Sequence, residues 1–204
     1  MIPAFLFLRL RNNMNMEQSR KVIQEILVRK AGLKQDIFQD TKNHFERFKT
    51  QLLAEIGALR ASVDDTRIRL HVEYKGEFQV QVYIGSDVLV FQMHTNVFKL
   101  PDEHPLWQTD YLKEDKTRGY FGIISVYNFL AESYLKNRGN DLGYLIGRIF
   151  INKDEHFMVE GKGQLGFLFR DLTNSVLTDA ILTNIIHVSF AYALDFDLLT
   201  PPYE

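Results

Sequence analysis

The sequence predicts an α+β fold: an antiparallel sheet covered by amphipathic helices, in the order helix, three strands, helix, two strands, helix. Three observations carry this. Apolar residues recur every three or four positions from about Met16 to Leu59. They alternate strictly with polar ones on either side of Gly85–Ser86. A second pair of alternating runs flanks Lys153–Asp154–Glu155. Periods near 3.6 bury one helix face and periods of two bury one sheet face.

The helical region 16–60 opens near Asn15, whose spacing to Gln18 is that of a capping box. Val22, Ile23, Ile26 and Leu27 form a first stripe, and Gly32 is read as an interruption or end. Phe38, Thr41, Phe45, Phe48, Leu52, Ile56 and Leu59 form a second. Such a helix covers its own sheet or pairs with another chain, so self-association through residues 16–60 is an expected partner mode.

Three strands follow as a meander. Ile68, Leu70, Val72 and Tyr74 alternate with charges. Gly85–Ser86 fits a two-residue hairpin that pairs Val82 with Leu89, Val80 with Phe91 and Phe78 with Met93. The other face would leave Tyr83, Val88 and Val90 toward solvent.

Pro101 to Gly119 reads as a long irregular connection, anchored by the single Trp107 and carrying His104 beside Asp102 and Glu103. Tyr120 to Lys136 reads as helix, with Ile123, Tyr127, Leu130 and Tyr134 on one side. The second hairpin should place Ile151 opposite Phe157, Ile149 opposite Val159, Gly147 opposite Gly161 and Leu145 opposite Gly163. Its apolar face is then a glycine patch suited to a covering helix or a ligand. Its other face sets Arg148 against Glu160, with Lys162 diagonal. A last helix, capped by Ser175, is expected to run to about Leu194, against a rival strand pattern from His187 onward.

Composition bounds function. The 204 residues carry a net charge of −2 and 46% hydrophobic residues, so one folded domain over 16–204 is expected and no global basic field invites nucleic acid or lipid. With no Cys there are no disulfides, thiolate metal sites or thiol nucleophiles, as suits a reducing cytoplasm. No membrane partner, cofactor or metal is expected, and no phosphate loop, nucleophile elbow or zinc spacing occurs. Candidate binding residues are Trp107, His104, Arg148, Gly147, Gly161 and Gly163. One catalytic alternative stands. Glu160–Gly161–Lys162 has the E-x-K spacing of metal-dependent nucleases, for which Asp141 would supply the second acid. The preferred function is a non-enzymatic binding, chaperone-like or regulatory interaction protein. In element order alone, the chain resembles small type III secretion chaperone-like domains, and element order by itself implies a fold and not a function.

The apolar run Ala4–Phe5–Leu6–Phe7–Leu8 is too short to span a bilayer and precedes its nearest charges. Residues 1–15 are therefore expected to be a disordered or mis-assigned extension. Deleting Met1–Asn13 should leave the melting temperature within a few degrees by calorimetry, whereas a structural strand there would lower it by much more.

Overall fold

A computed structural model of the chain describes residues 16–136 and 143–196. The readings placed on residues 1–15 and on Asp141 lie outside these described residues.

From Met16 to Ser62 the chain builds one continuous rod. Helix α1 spans Met16–Ile26, a π-helical turn occupies Leu27–Ala31, and helix α2 runs Gly32–Ser62. Of the two readings of Gly32, an end and an interruption, the helix shows the second: a π-helical turn stops just before it, and its own φ of −55° and ψ of −54° are ordinary right-handed values. Glycine only weakens a helix, and here the preceding wider turn absorbs the irregularity. The α2 stripe is an internal face. Phe45, Phe48, Leu52 and Ile56 are buried, and the Phe48 ring lies 5.1 Å from that of Phe91.

Among the described residues the sheet has seven antiparallel strands. They are β1 (Leu70–Tyr74), β2 (Gln79–Ile84), β3 (Asp87–Met93), β4 (Phe98–Lys99), β5 (Tyr120–Leu130), β6 (Tyr144–Ile151) and β7 (Phe157–Gly161). The order is β1-β2-β3-β5-β6-β7, with β4 also pairing with β5. The β2–β3 register is the expected one, with Val80 opposite Phe91 and Val82 opposite Leu89. Gly85 takes the positive φ of +61° that the tight turn requires. Across β6–β7, Gly147, Ile149 and Ile151 face Gly161, Val159 and Phe157 as read.

Three expectations are corrected. Tyr120–Leu130 is a strand, and only Ala131–Leu135 behind it is helical (α4, following α3 at Asp110–Glu114). Strand β5 lies between β3 and β6 and is buried on both faces, so its apolar run carries no clean period of two. Its strand state also removes the element order on which the chaperone-like resemblance rested. Second, Leu145 does not meet Gly163. A bulge after Val126 re-registers β6 so that Leu145 pairs with Tyr127, and β7 stops at Gly161 before α5 (Gly163–Leu168) begins. Third, the last helix, α6 (Asp179–Leu194), is capped by Thr178, whose hydroxyl accepts from the Ile181 N–H at 3.3 Å. Ser175 instead belongs to a strap along β7, where its carbonyl accepts from the Phe157 N–H at 3.0 Å.

Helices α2 and α6 lie side by side on the inner sheet face, around a core that includes Val80, Val82, Leu89, Phe91, Ile124, Ile149 and Leu182. Asp179 at the head of α6 accepts from Arg47 Nη2 at 2.7 Å and from Gln51 Nε2 at 3.0 Å, which fixes α6 against α2. Because Phe48 has no exposed surface, Phe48→Ala should lower unfolding free energy by about 3–5 kcal/mol in denaturant titration. Phe48→Glu should fail to fold. A folded monomeric Phe48→Glu protein would mean that the stripe faces a partner chain instead.

Candidate functional site

The outer face of the sheet carries two separate apolar covers. The first is the excursion between β4 and β5, which is more ordered than an irregular connection. It holds a 3-10 turn at Pro105–Gln108, helix α3 and a second 3-10 turn at Lys116–Gly119. Leu100 and Leu112 there, together with Leu172 from the segment after the helix Gly163–Leu168, pack on Phe121, Ile123, Phe150 and Met158 of the sheet. Its anchor is a polar buckle at the β6–β7 turn. Buried Asn152 donates from Nδ2 to the Tyr111 hydroxyl at 3.0 Å, and its Oδ1 accepts from the Asp154 and His156 N–H groups. Arg118 Nε donates to Asp154 at 2.7 Å, and Lys153 lies 3.1 Å from both Asp115 and Asp154. Desolvation raises the Asp115 carboxyl, but hydrogen bonds from the Thr117 hydroxyl and N–H and from Lys153 outweigh it and hold it at about 2.

The second cover is α4. Ala131 and Tyr134 lie over Tyr83, Val88 and Val90, so that triad is buried and not the open apolar surface the sequence suggested. An ion pair from Arg69 to Glu132 ties α4 to the β1 edge, and the Tyr134 hydroxyl accepts from Gln81 Nε2 at 2.5 Å.

Between the covers runs a row of polar side chains in direct register across five strands. Gln79 pairs with Gln92, Gln92 with Ser125, Ser125 with Arg148, and Arg148 with Glu160. Gln92, Arg148 and Glu160 are exposed, and Gln79 and Ser125 are half-buried. At about 4.8 Å per strand, the row is roughly 19 Å long. Arg148 Nη2 donates to Glu160 Oε2 at 2.6 Å, and the guanidinium also lies 5.6 Å from the Phe150 ring. Past Glu160 opens a cavity of about 400 Å³, lined in part by His104, Leu106, Met158, Glu160 and Arg170.

The sequence-predicted residues therefore divide. His104, Arg148 and Glu160 converge on the outer face. The His104 ring nitrogen Nδ1 also accepts from the Leu106 N–H at 3.2 Å, capping the 3-10 turn. Trp107 packs edge-on where a Gly119 Cβ would stand, and it donates to the Pro101 carbonyl at 2.7 Å, so it pins the excursion. Gly147 and Gly161 lie on the inner face under Leu165 of α5, the covering helix the glycine patch was read to suit. Gly163, at φ +50°, turns the chain into α5 beside the Tyr192 ring. Lys162 is exposed at the head of α5, and its N–H donates to the Ile146 carbonyl. Among the described residues, no group of three His, Asp or Glu side chains could hold a metal ion. Sequence reasoning missed Gln79, Gln92 and Ser125, because the row exists only once β5 joins the two hairpins.

No family model, curated protein or solved structure matches this chain.

An exposed cross-strand ion pair contributes about 0.2–1 kcal/mol, so Glu160→Gln should cost little stability. Adding Mg²⁺ or Mn²⁺ should leave the melting temperature unchanged. A rise that disappears in Glu160→Gln would instead support the E-x-K metal site.

Proposed function

We propose that this protein is a non-enzymatic binding protein of the cytoplasm that takes an extended polypeptide segment of a partner across its outer sheet face. The observation that carries this reading is the in-register row from Gln79 to Glu160, open between two apolar covers. Glutamine amides and a serine hydroxyl both donate and accept, so they match the alternating N–H and C=O groups of an extended backbone. A roughly 19 Å row accommodates about six extended residues. Exposed His94 and half-exposed Tyr127 stand beside it for side-chain contacts, and the cavity past Glu160 offers an apolar floor at one end. The nuclease alternative needs a free Glu160 carboxylate, whereas the geometry supplies it with Arg148.

Self-association through α2 receives no support from its buried stripe; the part of 16–60 with exposed apolar side chains is mainly α1 and the π-helical turn. Peptides selected from a random display library on the wild-type protein are expected to perturb the backbone amide resonances of Gln92, Ser125 and Arg148. Ser125→Trp should block the row and weaken those peptides at least about tenfold at unchanged melting temperature. Selected peptides that perturb other surfaces, or that bind Ser125→Trp equally, would overturn the reading.

A further inference from the structure

Residues 1–31 hold six Lys or Arg and two Asp or Glu, against 24 and 26 in the whole chain. This stretch therefore carries +4 and the remainder −6, an asymmetry that the overall net charge conceals. Within it, α1 and the π-helical turn leave a set of apolar side chains in solvent. Met16 is 78% exposed, Ile23 49%, Leu27 58% and Val28 69%, while Val22 alone is buried. Met16, Ile23 and Leu27 follow helical spacing and share one side of the rod. Arg20 and Lys30 flank that side on the same spacing. Lys21 is paired with Glu17 at 3.3 Å, but Arg20, Arg29 and Lys30 make no ion pair among the described residues.

We propose that Met16–Ala31 is a docking element for an anionic lipid surface, lying in the plane of the interface. An exposed apolar stripe edged by unpaired basic side chains, on a helix of low overall hydrophobicity, has the composition of an in-plane membrane helix. No helix of the described residues is long and apolar enough to cross a bilayer. Anionic headgroups attract Arg20 and Lys30 while Met16, Ile23 and Leu27 enter the acyl boundary. The remaining −6 of the chain is repelled by the same surface, so the electrostatics orient the molecule with its basic end inward. This element is separate from the polar row and does not rest on the peptide-binding reading.

The full-length protein should float with vesicles of phosphatidylcholine and phosphatidylserine, and not with phosphatidylcholine alone. Added salt should release it, as screening of exposed charges requires. Arg20→Gln combined with Lys30→Gln should weaken vesicle partitioning on the order of tenfold or more. Because the chain has no Cys, Leu27→Cys accepts a single environment-sensitive fluorophore. Its emission should shift to the blue with the anionic vesicles, whereas the same label at Glu25→Cys, on the other side of the helix, should not respond. This comparison still decides the matter if the charge variant loses helicity. Absence of flotation, or equal responses at both labelled positions, would overturn the proposal. So would a Leu27 label already blue-shifted without vesicles in a protein that sediments as a dimer, because a second copy would then cover the stripe.

Discussion

The contact between Thr41 and Gly122 sets the distance between the long helix and the centre of the sheet, and the rest of the packing follows from it. A Cβ on Gly122 would stand 1.9 Å from Thr41 Oγ1, so no other residue type fits that position of β5 without moving α2. The Thr41 hydroxyl donates to the Ile37 carbonyl at 2.7 Å, which satisfies its polar atom inside the interface. With α2 seated this closely, Phe45, Phe48 and Leu52 reach the floor formed by Phe91 and Ile124, and α6 packs alongside. Close packing at one glycine thus determines which face of β5 is inner, and hence which side chains of every neighbouring strand are outer.

The two hairpins were legible because each is a local device. A glycine-first turn and alternating apolar residues specify the β2–β3 register within sixteen residues of chain, and the β6–β7 pairing follows from three loop residues in the same way. Strand β5 was not legible. Its neighbours are far apart in sequence, it is covered on both faces, and Ser125, Asn128 and Glu132 recur at a helical spacing that has no helical cause. Tertiary context overrode the local pattern there. Helix α6 presented the opposite ambiguity. Its tail alternates like a strand, yet Thr178 caps it and Leu182, Ile185, Ile186 and Phe190 are buried on a helical rhythm. The outer face depends on β5 directly: the pairing of Arg148 with Glu160 is readable from the sequence, but Gln92 of β3 joins it only through Ser125, whose segment has a helical spacing.

Two covers in place of one explain why the outer face has a polar row at all. Helix α4 is only Ala131–Leu135, and the β4–β5 excursion is held to the far end of the sheet by Asn152, Tyr111 and Arg118. Tyr134 of α4 touches the register line at Gln79 and the excursion borders it at Glu160, but Gln92 and Arg148 between them stay exposed. A side chain on that line is wetted, and polar residues occupy it for the same reason that apolar residues occupy Ile123 and Val90 on either side. The row is therefore a consequence of where the covers stop. Its candidacy as a binding surface comes from the further fact that its members donate and accept without bringing net charge.

That last point separates the two proposed surfaces chemically. On the row the one cation and the one anion are already hydrogen-bonded to each other, and Gln79, Gln92 and Ser125 are neutral. A charged ligand would have to displace Glu160 from Arg148 and leave one of them unmatched, so an uncharged backbone is the better complement. On α1 the relation is reversed. Arg20, Arg29 and Lys30 lack carboxylate partners among the described residues, and the apolar side chains between them are exposed. A surface whose charges are satisfied recognises by hydrogen-bond pattern, and one whose charges are not recognises by field. Occupancy of the first should be insensitive to ionic strength and occupancy of the second should fall with it, so salt alone distinguishes which surface a bound partner is using.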